Sequence, residues 1–218
     1  MGLMLTEKVN YVTGEKMEKF LALPSGKRDA ILNAALYHFA RYGYHKASMS
    51  DIAGSAKVSK SLLFHYFGSK KMLYLYLYEY CNKVVNEVIA AYAVAGERDF
   101  FARIRLYQWI KISIMRRYVD LFDFLSSANF ERDGEVVDAL DSLIEENRGK
   151  GLSTLLIDLD YAQFAEDIDC QMVLNITLWC AEGQLAKLKK SGQLHLEAGI
   201  EEFECYLHLL RKYFYQKS

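Results

Sequence analysis

Pro24 is the one proline among 218 residues, and long stretches after it repeat apolar side chains every three to four positions. Sandwiches and barrels need frequent glycine and proline turns between short strands, and this chain lacks that regular punctuation. It is therefore expected to be all-α. Hydrophobic residues make up 52% and aromatic residues 14%, against 25% charged, which excludes disorder over most of the length. The length suits one large domain or two small ones.

Several chemistries find no support. Cys81, Cys170, Cys180 and Cys205 show neither C-x-x-C spacing nor histidines at zinc-finger distance, so they read as free thiols in helices rather than as metal ligands or a disulfide framework. The five histidines form no H-E-x-x-H, and no G-x-S-x-G or phosphate-loop pattern occurs. Gly149-Lys150-Gly151 lacks the third glycine and the strand that a dinucleotide site requires. No enzyme activity, metal or cofactor is expected. No run of about 18 apolar residues is present, so no membrane contact is expected and a cytoplasmic location is.

The net charge of −1 conceals blocks. Residues 1–24 carry three basic and three acidic side chains, residues 25–75 eight basic and two acidic, and residues 76–218 sixteen basic and twenty-three acidic. Clustered cations favour a polyanionic partner, because they displace the counterions condensed on a phosphate backbone.

The spacing of Ile31, Ala34, Ala35, Phe39 and Ala40 predicts a helix over roughly 26–42, ended by Gly43. Ser48 with Asp51 is a capping-box candidate opening a short helix that ends near Ala56. Ser59 can cap a third helix running through Phe67, and after Gly68-Ser69 a long helix is expected from Lys70 to about Ala95. Further helices are expected near 99–118, 120–129, 134–157, 167–190 and 197–215. Three parts follow: an N-terminal extension at 1–24, whose role the residues do not assign, a three-helix unit at 25–75, and a larger helical bundle at 76–218.

Residues 48–71, SMSDIAGSAKVSKSLLFHYFGSKK, place two short helices on either side of a tight Ala56-Lys57-Val58 turn. That is helix-turn-helix spacing. Small Ala53 and Ala56 permit close approach, and Ile52, Val58, Leu63 and Phe67 supply the contacts that fix the crossing angle. In such a motif the N-terminal residues of the second helix enter the DNA major groove.

The order Gly43-Tyr44, Ala47-Ser48-Met49, Ile52-Ala53, Val58-Ser59, Leu63-Phe64-His65-Tyr66-Phe67 and Lys70 resembles the tetracycline-repressor-like (TetR) family over about residues 27–75. The resemblance implies a homodimeric transcriptional repressor. It further implies an N-terminal DNA-binding domain followed by a helical domain that binds a small effector and forms the dimer. Carried over by position, Lys60, Ser61, Leu62 and His65 read base edges, with Ser50 added from the preceding helix. A lysine can donate to guanine, a serine can pair with several bases, and a leucine can meet a thymine methyl. Ser48, Ser59, Tyr66 and Lys70 fall at positions that face phosphates. Three residues depart from the family pattern. Lys57 stands at a usual turn glycine, where a left-handed backbone costs about 1 kcal/mol or more. Phe64 replaces a tyrosine and is expected in the core, and Lys71 replaces an acidic residue. Leu62 is open between packing and groove contact.

In the bundle, Tyr107, Trp109, Met115, Phe122, Asn175 and Trp179 are bulky or polar residues that could line an apolar effector pocket, although an ordinary helical core has the same inventory. The pocket follows from the resemblance alone. The effector it implies is unidentified, with the aromatic content favouring a hydrophobic compound. Leu174, Leu178, Leu185 and Leu188, with Phe203, Tyr206, Leu207 and Leu210, form stripes that could pair two subunits or pack within one chain. Two other functions stay open: an architectural protein that binds DNA by backbone charge without an effector, and a helical small-molecule carrier.

Overall fold

The computed structural model describes residues 14–91, 96–117, 119–190 and 196–216, without the side chains of 115–117, 119, 151–154, 185, 186, 188–190, 196 and 197. Among these residues ten α-helices and no β-strand occur. They are α1 (Glu15–Leu21), α2 (Ser25–Lys46), α3 (Met49–Ser55), α4 (Lys60–Phe67), α5 (Lys70–Ala91), α6 (Phe100–Arg117), α7 (Val119–Ala128), α8 (Val137–Leu156), α9 (Cys170–Lys190) and α10 (Leu196–Phe214). From α2 onward, every helix expected from periodicity is present to within a few residues.

The chain forms two compact units, one of Met1–Val88 with Ile114–Gly151 and the other of Ile89–Ser113 with Leu152–Ser218. The division thus falls late in α5 rather than at residue 75, and the helix-turn-helix shares its unit with α7 and most of α8. Aromatic packing explains this. Phe39 of α2 and Phe124 of α7 both close on Tyr74 of α5, with ring centroids 4.9 and 5.1 Å away. Leu73 through Tyr78 are all buried, so this stretch of α5 is apolar around its whole circumference and needs neighbours on every side.

In the first unit α2 turns Ile31, Leu32, Ala34, Ala35, Leu36 and Phe39 inward. The helical path breaks at Gly43, whose φ of 69° and ψ of 177° a side chain would strain. Ser48 then opens α3, accepting the Asp51 amide at 3.1 Å while its hydroxyl donates to the Asp51 carboxylate at 2.7 Å. At the end of α3 the Lys57 amide bonds to Gly54 and the Val58 amide to Ala53. That pair of bonds is a Schellman closure, with Lys57 at its left-handed position, φ 55°. Residues 15–21, inside the segment expected as an extension, form α1 packed against α4. Met17 and Phe20 are its buried anchors. The remainder of that extension, residues 1–13, lies outside the described residues.

The second unit gathers Phe100, Phe101, Ile104, Leu155, Leu159, Phe164, Val173, Leu174, Phe203 and Leu207 into one core. Arg103 is fully buried beside it, and its guanidinium donates to the backbone carbonyls of Glu97, Leu155 and Ile157. It thereby serves acceptors that the end of α8 leaves without an intrahelical donor. Of the stripes proposed for α9 and α10, Leu174, Phe203 and Leu207 belong to this core, and Leu178, Tyr206 and Leu210 pack against it. These residues make intrachain contacts. Leu185 and Leu188 lie outside the described side chains. The exposed apolar residues of the two helices are instead Met172, Trp179, Leu209 and Tyr213.

Because Lys57 has a left-handed backbone, Lys57→Gly is expected to raise stability by about 1 kcal/mol. Thermal unfolding should shift upward by roughly 2–4 °C. A lower melting temperature would show that the lysine side chain contributes more in the folded state than its backbone costs.

Candidate nucleic-acid interface

The two turns of α4 separate cleanly into faces. Leu63, Tyr66 and Phe67 are buried, while Lys60, Ser61, Phe64 and His65 are exposed and Leu62 is half-buried. Positions i, i+1, i+4 and i+5 share one side of a helix, so a cation, a hydroxyl, an aromatic ring and an imidazole form a single outward surface. The Lys60 ammonium lies 5.9 Å from the centroid of the Phe64 ring. This corrects the expectation that Phe64 belongs to the core: it is 38% exposed, since Leu63 and Phe67 already occupy the inward positions.

Ser59 caps α4, accepting from the Leu62 amide at 3.2 Å and from the Ser61 hydroxyl at 3.3 Å. Its own hydroxyl proton is left to donate outward. Ser50 is exposed on the first turn of α3, whereas the Ser48 proton is directed to Asp51. Tyr66 is 7% exposed, with its ring 5.6 Å from that of Phe20. It turns inward because α1 covers that side of α4.

Lys70 is also engaged within the fold. Its ammonium donates to the carbonyls of Tyr44 at 3.0 Å and of His45 and Ala47 at 3.4 Å, and lies 4.2 Å from the centroid of the Tyr44 ring. A cation over carbonyls at the end of a helix is electrostatically favourable. Here it ties the start of α5 to the last turn of α2.

That last turn is gripped from its other side by the loop between α7 and α8. The Tyr44 amide donates to the Glu131 carboxylate at 2.9 Å, the Tyr44 hydroxyl donates to Glu135 at 2.6 Å, and His45 Nδ1 lies 3.1 Å from Asp133. Burial first, and the Glu135 carboxylate second, push the Tyr44 hydroxyl well above its ordinary range. Asp133 is held below the usual carboxylate range, first by a hydrogen bond from the Glu135 backbone and then by the bond and charge of His45. Sequence reasoning missed Glu131, Asp133 and Glu135. They lie almost ninety residues beyond their partners, and no local pattern announces such a pairing.

The six candidate pocket residues are divided between the two units. Phe122 is buried in the first unit, and the Met115 side chain lies outside the described residues. In the second unit Tyr107 is half-buried, Asn175 accepts a hydrogen bond from Gln171 at 3.3 Å, and Trp179 is 67% exposed. Trp109 does line a cleft. This half-open space of about 330 Å³ is floored by Ala102, Leu106, Ile112 and Ile200 and edged by the Arg105–Glu204 ion pair.

Residues 31–77, which run from the buried face of α2 through α3 and α4 into α5, match the sequence profile described as "Bacterial regulatory proteins, tetR family". That segment is a TetR-family N-terminal domain. The chain is 35% identical over 129 residues to the HTH-type transcriptional regulator RutR of Escherichia coli O157:H7, a match spanning 56% of this chain and 58% of RutR. A second relative, the biofilm operon negative transcriptional regulator IcaR of Staphylococcus aureus strain Newman, is 23% identical over 155 residues. That match spans 70% of this chain and 81% of IcaR. Among solved structures, the fold is similar to that of FadR from Bacillus subtilis in complex with stearoyl-CoA, with a TM-score of 0.63 at 17% identity, covering 84% of this chain and 96% of FadR.

The Asp133 contact gives a pH test. Asp133 has a depressed pKa in the folded protein, so it adds stability above the ordinary aspartate pKa of about 3.9 that is lost as pH falls through the lower folded value. Asp133→Asn should flatten the acid limb of stability against pH, measured by denaturant unfolding between pH 6 and about pH 3. An unchanged limb would remove Asp133 from that role.

Proposed function

We propose that this protein is a sequence-specific DNA-binding transcriptional regulator that acts as a homodimer. It represses from a palindromic operator and is released by a small hydrophobic effector. The observation that carries this reading is the two-faced α4, with Lys60, Ser61 and His65 outward on a helix whose opposite side is packed. The names of RutR and IcaR support it.

In this reading the helix-turn-helix domain at 25–75 meets DNA and residues 76–218 serve effector binding and dimerisation. Lys60, Ser61, Leu62 and His65, with Ser50 beside them, meet base edges, while Ser59 meets phosphate and Ser48 does so once its hydroxyl proton turns away from Asp51. Tyr66 packs its ring against Phe20 and meets phosphate through its hydroxyl alone. Lys70 acts first by holding α2 to α5 and second through its charge. The Trp109 cleft offers an apolar seat for an effector, and the acyl ligand bound to FadR supports a hydrophobic class. A hundredfold loss of operator affinity on effector binding needs about 2.7 kcal/mol of preference for the DNA-incompetent state.

Selection of bound fragments from genomic DNA tests the function. An inverted repeat with half-sites about 34 Å apart is expected, whereas uniform, steeply salt-dependent binding would indicate an architectural protein. Lys60→Ala should relax preference at one base position by about 1–3 kcal/mol. Lys70→Ala should weaken all sequences alike and also lower the melting temperature, since three carbonyls lose their donor.

Met172 and Trp179 on α9, with Leu209 and Tyr213 on α10, are the apolar surface proposed for the two-fold contact. Large exposed apolar residues of this kind mark association sites. Trp179→Glu combined with Leu209→Glu should convert the dimer to a monomer in sedimentation and abolish operator binding at equal concentration. A dimer that survives the pair would place the interface elsewhere.

A further inference from the structure

We propose that α1 is a positioning element for the DNA-reading helix and that Phe20 is its positioning residue. This rests on the reading of α4 as that helix.

The argument begins with length. α4 has eight residues, too few for a helix to persist in water without tertiary packing. Its outward residues, Lys60, Ser61, Phe64 and His65, are exposed, so its stability must come from behind. Leu63 is fully buried, but the side bearing Tyr66 and Phe67 is covered by α1. The Phe20 ring, itself fully buried, lies 4.9 Å from Phe67 and 5.6 Å from Tyr66 between centroids, and 5.8 Å from Tyr76 of α5. Phe67 and Tyr76 are in turn 5.5 Å apart. Phe20 is the ring common to all three contacts, a wedge between α4 and α5 that meets Phe67 and Tyr76 in the edge-on geometry favourable for aromatic pairs.

α1 is anchored at its far end as well, where Arg28 of α2 donates to the Leu21 carbonyl at 2.9 Å. Glu15 is bonded to Lys19 at 2.6 Å, and His65 of α4 adds to the charges that hold its carboxyl low, after the larger contributions of Lys19. A helix fixed to α2 and wedged on α5 constrains the direction in which α4 presents Lys60 and His65. Displacing a reading helix by about an ångström is enough to misplace bidentate base contacts while leaving charge contacts to the backbone.

The test uses the full chain with Phe20→Ala, the conservative Phe20→Leu, and Leu140→Ala as a matched loss at a fully buried position of α8 in the same unit. Amide hydrogen exchange is followed at Phe64–Gly68, and affinity is measured for the selected operator and for a non-specific duplex. In Phe20→Ala, exchange across α4 should accelerate about tenfold or more relative to Leu140→Ala, which lowers stability without touching α4. Operator affinity should fall about tenfold or more while non-specific affinity changes by less than about threefold. Phe20→Leu should recover most of both, and if the alanine variant does not fold, a smaller acceleration confined to α4 in the leucine variant carries the proposal. Equal exchange in Phe20→Ala and Leu140→Ala, or faster exchange with unchanged operator affinity, would overturn it. Should the wild type select no operator, the DNA-binding reading fails by itself, and the exchange comparison still decides whether α1 braces α4.

Discussion

A helix of two turns cannot stand alone in water, and the surface proposed to meet DNA is carried by such a helix. Every structural feature near α4 follows from supplying it with support from behind while leaving its front polar. Ser59 satisfies an orphan amide at its start, Gly68 provides a left-handed exit at φ 75°, and Leu63 and Phe67 reach the core. The outward residues then contribute almost nothing to holding α4 in place. That separation frees Lys60, Ser61 and His65 to be chosen for recognition rather than for packing.

The support continues into α5. A helix that alternates Leu and Tyr from Leu73 to Tyr78 and buries all of them cannot lie on a surface. One side takes Phe67 and Phe20 through Tyr76, and another takes Phe39, Tyr44 and Phe124 through Tyr74. The tyrosines keep a polar end while giving large apolar rings, and burial raises the pKa of the Tyr74 and Tyr76 hydroxyls, so both remain neutral through the physiological range. α4 and α7 are thus packed on one rod.

Much of this was legible in the sequence, and the parts that were not share a cause. Helix periodicity, capping serines and glycine breaks are local signals, and they placed α2 through α10 to within a few residues. The left-handed backbone at Lys57 was legible for the same reason, since a turn position is defined by its neighbours. The role of α1 was not. Residues 15–21 carry two glutamates and two lysines around Met17 and Phe20, too short and too balanced to read as an amphipathic helix until the rings of Tyr66, Phe67 and Tyr76 supply the other half of its contact. Phe64 was misread because four consecutive bulky residues, Leu62 to His65, leave the helical phase undetermined. Glu131, Asp133 and Glu135 lay beyond reach because a long-range hydrogen bond leaves no mark in either segment alone. The pocket residues are ambiguous for another reason: size and aromaticity select core as readily as cavity, and Phe122 is buried while Trp179 is exposed.

The charge blocks acquire a sharper meaning once partners are known. Eight basic residues occupy 25–75, but they are not equivalent cations. Arg28 is bonded to the Leu21 carbonyl, Lys70 is surrounded by three carbonyls, and the guanidinium of Arg41 lies 4.4 Å from the centroid of the Tyr37 ring. Lys46, Lys57 and Lys60 are exposed near the helix-turn-helix. Three acidic residues of the loop before α8 meanwhile close on Tyr44 and His45, at the end of α2 just ahead of that motif. The acidic excess of the later chain is therefore partly spent on orienting the basic segment rather than on neutralising its exposed face. A field set by a few outward lysines on a fixed scaffold falls off over about 8 Å at physiological salt. In the proposed function, backbone charge accordingly brings a duplex to this surface, while the choice among sequences falls to the side chains of α4 that only close contact can reach.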